Sequence, residues 1–196
     1  EGLTATTVSA AHSRFVQRVR RRWGERNPLP CEGLPDGAAM SALVDRLRHE
    51  GHPLPAALRL MRQWVVERLA VEDVERHASV QDITAAMTTL AEVTLEAALA
   101  QARQDADARY GEPRTAQGGA IDFWIVGMGK LGARELNVSS DIDLVYVYED
   151  DGQTTGPRVV SAHEYFSHVA KQLYALIGET TDEGFVFRVD LALRPN

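Results

Sequence analysis

The spacing of apolar residues changes near residue 112, and this change constrains the fold more than any other feature of the sequence. Before it, apolar residues recur at intervals of three and four positions, the period of an amphipathic helix. One such series is Met40, Leu43, Val44 and Leu47. After it, short apolar runs alternate with glycine-rich turns, which is typical of strands. We therefore predict an α+β protein, with a helical N-terminal region over residues 1–115 and a sheet-containing core over residues 116–196.

The N-terminal region is expected to form four helices. Apolar stripes mark the first three: Phe15, Val19 and Trp23; Met40 to Leu47; and Leu58, Met61, Val65 and Leu69. The fourth is the longest, because Asp82 is a plausible N-cap and the next glycine, Gly111, ends a stretch of about 28 residues. A helix of that length can act as a spine against which the others pack.

The C-terminal region is expected to contain three strands and one long helix. The strands are Ile121–Val126, Ile142–Tyr148 and Phe185–Leu191. The helix begins at a capping box formed by Ser161 and Glu164, and the segment Glu112–Gly119 is a connector. Three strands make a thin layer, so we expect the chain to be cut from a longer one and the sheet to be truncated at its C-terminal end.

Charge is unevenly distributed along the chain. Residues 1–78 contain 12 Lys and Arg against 10 Asp and Glu, whereas residues 79–196 contain 9 against 18. An acidic half has few cations for a nucleic-acid backbone, so no nucleic-acid partner is expected. If this half handles a phosphate compound, divalent cations must supply the positive charge. The arginine-rich run from Arg14 to Arg26 is interpreted as a solvated helix face, with an acidic docking partner as the alternative.

Three features bear on location. No uninterrupted apolar run approaches the roughly 18 residues of a membrane helix, so no membrane span is expected. The first ten residues, EGLTATTVSA, lack the basic and apolar stretches of a secretory signal. The single cysteine, Cys31, cannot form an internal disulfide and fits a reducing compartment. We therefore expect a cytoplasmic protein.

A glycine-rich turn followed by two aspartates carries the strongest chemical signal. The turn, Gly127-Met-Gly-Lys-Leu-Gly132, matches the dinucleotide-binding pattern GxGxxG, and this alternative stays open on the turn alone. Asp141 and Asp143 begin the next predicted strand, where side chains two residues apart point to the same face. Two such carboxylates repel each other unless cations lie between them, and Mg²⁺ binds carboxylate oxygens together with phosphates.

A third carboxylate fits the same scheme. In the segment Phe185–Leu191, strand alternation places Asp190 and Arg188 on the polar face. Asp190 can complete a three-aspartate, two-metal site with the first pair. The alternative is a surface ion pair between Asp190 and Arg188.

These motifs resemble the nucleotidyltransferase superfamily, which has the DNA polymerase beta fold, a mixed sheet with flanking helices. Gly129 lies 12 residues before Asp141, where the superfamily has Gly-Ser or Gly-Gly. Residues 127–148 (GMGKLGARELNVSSDIDLVYVY) and 187–195 (FRVDLALRP) are similar to the glutamine synthetase adenylyltransferase family, and more to its adenylyl-removing domain. Ala133 and Ala192 depart from the family pattern, and Ala192 removes a possible phosphate contact.

The resemblance implies a metal-dependent nucleotidyltransferase that regulates glutamine synthetase in nitrogen metabolism. In such bifunctional enzymes one domain removes AMP from a tyrosine of glutamine synthetase by phosphorolysis, releasing ADP, and another adds AMP from ATP. The implied catalytic residues, which also bind two Mg²⁺ ions, are Asp141, Asp143 and Asp190. The implied nucleotide and phosphate contacts are Gly129, Lys130, Ser140 and Arg194. The implied partners are glutamine synthetase and a PII-type signalling protein.

Other kinds of site have little support in the sequence. His163 and His168 are five residues apart on a predicted helix, so they do not share a face as zinc ligands would. The P-loop pattern GxxxxGK[ST] is absent from the sequence. For Lys130, the alternative to phosphate binding is that it is only a surface residue. For the chain, the alternative to catalysis is a non-catalytic nucleotide-sensing or docking module of the same fold.

Overall fold

The computed structural model describes residues 8–24, 26–30 and 32–190. A 3₁₀ helix, Ala10–His12, precedes six α-helices: α1 (Arg14–Trp23), α2 (Gly37–His49), α3 (Leu54–Arg76), α4 (Val80–Tyr110), α5 (Gly129–Gly132) and α6 (Ala162–Gly178). The strands are β1 (Pro113–Thr115), β2 (Phe123–Gly127), β3 (Ile142–Tyr148), β4 (Gly152–Thr154) and β5 (Val189–Asp190). Helices thus precede the sheets, and the α+β prediction is confirmed.

The predicted apolar stripes of α2 and α3 are buried in full, whereas α1 buries Val16 and Val19 with its other stripe residues only partly covered. The start of α4 differs from the prediction. Ser79, rather than Asp82, is the N-cap, since its hydroxyl accepts a hydrogen bond from the Asp82 backbone N–H at 3.1 Å. Asp82 instead occupies the third helical position, where its carboxylate accepts a hydrogen bond from the Ser79 hydroxyl.

Helix α4 is the spine of the molecule, as its length predicted. It contacts α2, α3 and α6. Ala98, Ala102 and Ala106 recur every four residues and are fully buried, and their small side chains fit the close approach of α6. Helix α4 contains an 18-residue window with a mean hydropathy of 1.3, so by length and composition alone it could cross a membrane. Two glutamates lie within this window. Part of that window is buried, and the core helix of a globular protein passes the same test.

The strands form two small sheets. In the larger one, β3 pairs antiparallel with β2 and parallel with β5, so the sheet is mixed, as predicted. The smaller sheet pairs β1 with β4 and was not predicted, because a three-residue strand is too short to show alternation. It lies partly in the predicted connector Glu112–Gly119.

The third predicted strand is shorter than expected. Within the described residues only Val189 and Asp190 form a strand, and the neighbouring Val186 and Phe187 are both buried, which breaks the expected alternation. The predicted end of this strand at Leu191, and Ala192, lie outside the described residues. Cys31 also lies outside them.

One hydrophobic core runs through both halves of the chain. It includes Met61 of α3, Leu90 of α4, Ile142 of β3 and Leu173 of α6, all fully buried. The division at residue 115 into two domains stays a prediction.

Candidate functional site

The glycine-rich turn packs directly against Asp143, the aspartate of β3. Gly129 has φ of 53°, and a Cβ on this residue would lie 2.7 Å from Oδ2 of Asp143. The backbone N–H of Met128 also donates to the Asp143 carbonyl oxygen at 2.9 Å. A side chain at position 129 would therefore strain the backbone and collide with the carboxylate, so this position requires glycine.

The strand register brings the predicted aspartates to one end of the larger sheet. Asp143 of β3 is the direct partner of Asp190 in β5, so their side chains lie on the same face. Asp141 lies immediately before β3, next to Ile142 at this end of the sheet. Asp143 is half-buried under the glycine turn, while Asp141 and Asp190 are exposed.

Arg188 forms an ion pair with Asp141, the first of the three aspartates. Arg188 Nε donates to Asp141 Oδ1, and Arg188 Nη2 donates to the Ser139 carbonyl oxygen at 3.0 Å. Within residues 8–24, 26–30 and 32–190, no three His, Cys, Asp or Glu side chains are grouped closely enough to hold a metal ion. Carboxylate oxygens are the hard ligands that Mg²⁺ prefers, so the three aspartates have the chemistry of magnesium ligands, although the structure does not group them closely enough to hold the ion.

The predicted phosphate contacts lie near this end of the sheet. Lys130, exposed on α5, has its Nζ 3.4 Å from the hydroxyl oxygen of Ser140, directly before Asp141. Gly129 opens α5 and is solvent-exposed. Arg194 lies outside the described residues.

The dinucleotide-binding alternative does not match the observed topology. That motif needs a parallel βαβ unit with a helix whose N-terminus faces the pyrophosphate. Here β2 and β3, the strands on either side of the turn, are antiparallel, and α5 between them has only 4 residues. Gly129 instead allows the turn to lie against Asp143.

The sequence analysis missed two arginines of α3, one of which supports the segment leading into β5 and the other the loop before Asp141. Arg59, 1% exposed, donates to the carbonyl oxygens of Pro55, Leu176, Glu179 and Gly184. Burial lowers the pKa of this guanidinium, and Glu183 and Glu179 act in the opposite direction. Arg62 donates to the Val138 carbonyl oxygen at 3.1 Å. These contacts join residues at least 76 positions apart, apart from the one within α3, so local spacing carried no signal for them.

Comparison with known proteins gives a consistent result across the chain. The family described as glutamate-ammonia ligase adenylyltransferase matches residues 6–196. Three similar proteins, each named bifunctional glutamine synthetase adenylyltransferase/adenylyl-removing enzyme, come from Aromatoleum aromaticum (41% identical over 96% of this chain), Burkholderia mallei (44% over 96%) and Chromobacterium violaceum (47% over 72%).

The chain spans about a fifth of the length of these relatives, covering 20%, 22% and 16% of them respectively. The match extends through the helices as well as through the aspartate motifs, because it starts at residue 6. The resemblance seen in the glycine turn and the aspartates is thus confirmed over nearly the whole chain. The chain belongs to the glutamate-ammonia ligase adenylyltransferase family.

Proposed function

We propose that this chain catalyses metal-dependent nucleotidyl transfer on glutamine synthetase. The reaction is phosphorolytic removal of AMP from an adenylylated tyrosine, with release of ADP, in an enzyme that also adenylylates from ATP. The observation that carries the proposal is the pairing of Asp143 with Asp190 under the Gly129 turn. The names of the relatives, which include an adenylyl-removing activity, support the substrate.

Asp141, Asp143 and Asp190 are the residues that would hold magnesium, with Arg188 withdrawn from Asp141. When bound, such ions neutralise phosphate charge and act as Lewis acids. The chain itself supplies few cations here, since residues 79–196 carry twice as many acidic as basic residues. Carboxylates without a cation would repel the phosphates of the substrate.

The bond changes in this reaction are simple. An oxygen of inorganic phosphate attacks the phosphorus of the tyrosyl-AMP ester, a new P–O–P bond forms, and the bond to the tyrosine oxygen breaks. The tyrosine leaves as phenolate, which takes a proton from solvent. Because the parent pKa of tyrosine is about 10, phenolate is a good leaving group and no strong general acid is needed. Backbone N–H groups near Gly129, the Lys130 ammonium and the Ser140 hydroxyl would bind phosphoryl oxygens.

The test is ADP formation from adenylylated glutamine synthetase, inorganic phosphate and Mg²⁺. We expect Asp143→Asn to abolish it and Asp122→Asn, an exposed acidic position just before β2, to leave it unchanged. Retention of full activity by Asp143→Asn would contradict the mechanism.

The same variants distinguish the direction of transfer. If Asp143→Asn removes AMP incorporation from ATP but leaves ADP release intact, the chain performs the adenylylating step instead. A folded wild-type protein that is inactive in both directions supports the non-catalytic module.

A further inference from the structure

Two arginines from distant parts of the chain converge on the loop that leads into Asp141. Arg62 of α3 donates to the carbonyl oxygen of Val138 at 3.1 Å, and Arg188 donates to that of Ser139 at 3.0 Å. Their meeting is unexpected in the acidic half of the chain. Positive charge is thereby concentrated at a loop that adjoins the aspartate site.

The positive charge of Arg62 is only partly balanced by the groups around it. Its Nε is buried without a hydrogen-bond partner, and among the described residues no carboxylate forms an ion pair with it. Its guanidinium carbon lies 5.6 Å from the ring centroid of Phe185 and 5.9 Å from that of Phe187, which gives only partial compensation. Burial lowers the pKa of this guanidinium. A half-buried charge without a counter-ion is costly unless an anion joins it.

A small pocket separates the two arginines. Its volume is about 190 Å³, and its lining residues are Arg62, Val138, Ser139, Ser140, Phe185, Phe187 and Arg188. Two arginines and two serines are among its lining residues, and none of the described residues that line it is Asp or Glu. Its volume is below the roughly 300 Å³ at which clefts for drug-sized ligands begin, so it suits a small ion rather than a whole nucleotide.

We propose that this pocket binds a phosphoryl oxyanion next to the aspartate site, with Arg62 and Arg188 as its cationic ligands. The planar guanidinium group matches phosphate geometry. The inference rests on the proposed function, in which inorganic phosphate is the attacking reactant. The terminal phosphate of ADP has the same chemistry, and the experiment below distinguishes the two sources.

The position of Arg188 gives this pocket a second consequence. In the structure Arg188 is bound to Asp141, and both side chains are about half exposed, so the ion pair is weak and readily exchanged. An oxyanion in the pocket competes with Asp141 for Arg188. Its binding therefore releases the Asp141 carboxylate, and phosphate and a divalent cation at Asp141 strengthen each other's binding.

The test is calorimetric titration of the full-length protein with inorganic phosphate, and separately with ADP, without turnover. Arg62→Gln is expected to weaken phosphate binding at least about tenfold, since it removes a charge-assisted contact. Arg62→Lys keeps the charge and should recover part of the affinity. Arg48→Gln, an exposed position on α2, is the matched control and should bind as the wild type does. In steady-state assays, Arg62→Gln should raise KM for phosphate with little change in kcat.

The outcomes separate this inference from the proposed function. Unchanged affinity for both phosphate and ADP in folded Arg62→Gln and Arg188→Gln overturns the inference, as does a wild type that binds neither. Arg188 is exposed, so its variant remains informative if Arg62→Gln does not fold. A loss confined to ADP supports the pocket with the nucleotide as the source. Phosphate binding that depends on Arg62, without any phosphorolysis, supports the pocket and contradicts the proposed function alone.

Discussion

At the residue scale, the candidate site depends on how closely the backbone of Gly129 approaches the carboxylate of Asp143. The left-handed backbone at Gly129 and the 2.7 Å between its notional Cβ and Asp143 Oδ2 are independent reasons for glycine. The first affects stability, because a side chain disfavours this conformation. The second affects the carboxylate, and hence the site itself.

A matched pair of variants separates these two effects. Gly129→Ala should destabilise the protein by about 1–2 kcal/mol and reduce ADP formation by at least about tenfold, because a displaced carboxylate is poorly aligned. Gly118 also has a positive φ, of 85°, but no heavy atom lies within 4 Å of its notional Cβ, so Gly118→Ala is the matched control. It should lose comparable stability and retain activity. Equal activity of the two variants, measured alongside urea denaturation, would contradict the close fit at Asp143.

Tyr146 on β3 predicts a loss of stability at alkaline pH. Burial raises its pKa to about 12 from 10.0. Between these values the unfolded chain has released the phenolic proton and the folded protein still holds it. Stability from this group is therefore full below pH 10 and is lost as pH rises toward about 12.

Tyr146→Phe should therefore flatten the fall in unfolding free energy between about pH 9 and about pH 12. The pKa of Tyr165 is also raised, by burial and by its hydrogen bond to Asp107. This residue therefore also lowers the unfolding free energy at alkaline pH, and does so equally in the wild type and in Tyr146→Phe. Denaturation at a series of pH values measures the difference. Parallel curves for the two proteins would show that Tyr146 is not protected from ionisation.

How far the sequence predicted the site depends on the distance over which each contact acts. Asp141, Asp143 and Asp190 were found from alternation and spacing, which are local. Arg188 was predicted to lie beside Asp190 on a polar face, and its ion pair with Asp141 was not foreseen, because this contact joins segments 47 residues apart. Arg62 had no signal, since its contact with Val138 exists only in the folded chain.

At the scale of elements, α3 holds the segment that leads into β5. The guanidinium of Arg59 joins the end of α6, through Leu176 and Glu179, to Gly184 in the following loop. This segment continues to Asp190. The helix thus fixes the strand that carries the third aspartate, although β5 itself has only two described residues.

Replacement of Arg59 by methionine tests this arrangement. The variant leaves several buried carbonyl oxygens without a donor, so we expect a loss of about 3 kcal/mol in unfolding free energy. Relative to the wild type, amide hydrogen exchange in the variant should accelerate more over residues 179–190 than over α4. Arg48→Met, at an exposed position, is the control and should change neither. Uniformly unchanged exchange in Arg59→Met would show that α3 does not hold this segment.

Errors in predicting the elements came from short or shared signals. The capping box at Ser161 was recognised, because Ser161 and Glu164 have the standard spacing, and the hydroxyl accepts from the Glu164 N–H as expected. At α4, Ser79 and Asp82 lie three positions apart and both are residue types that commonly cap helices. The more N-terminal of the two, Ser79, is the N-cap. Strands β1 and β4 have too few residues for alternation to be visible.

At the scale of the whole molecule, the helical region and the sheet region share a core. Helix α4 contacts α2 and α3 on the one hand and α6 on the other. Phe166 of α6 stacks on Phe123 of β2, with centroids 4.9 Å apart. The α+β class followed from the change of period near residue 112, whereas this packing across the predicted boundary requires the tertiary structure.

A shared core predicts cooperative unfolding of residues 1–115 and 116–196. Fluorescence of Trp64, buried in α3, and of Trp124 on β2 can be followed separately in variants that retain only one of the three tryptophans of the chain. We expect their denaturation midpoints to coincide with that of far-ultraviolet circular dichroism. Two separated transitions would instead establish independent domains. An Ala102→Leu variant, which overpacks α4 against its neighbours, should shift both probes together by about 1–3 kcal/mol.

If Asp143 and Asp190 belong to a metal-dependent nucleotide site, ADP binding requires both Mg²⁺ and these carboxylates. The most direct measurement is calorimetric titration of ADP into the protein with and without Mg²⁺, repeated on Asp143→Asn. We expect a class of ADP sites that requires Mg²⁺ and is lost in the variant. ADP binding that is independent of Mg²⁺ and identical in Asp143→Asn would contradict it.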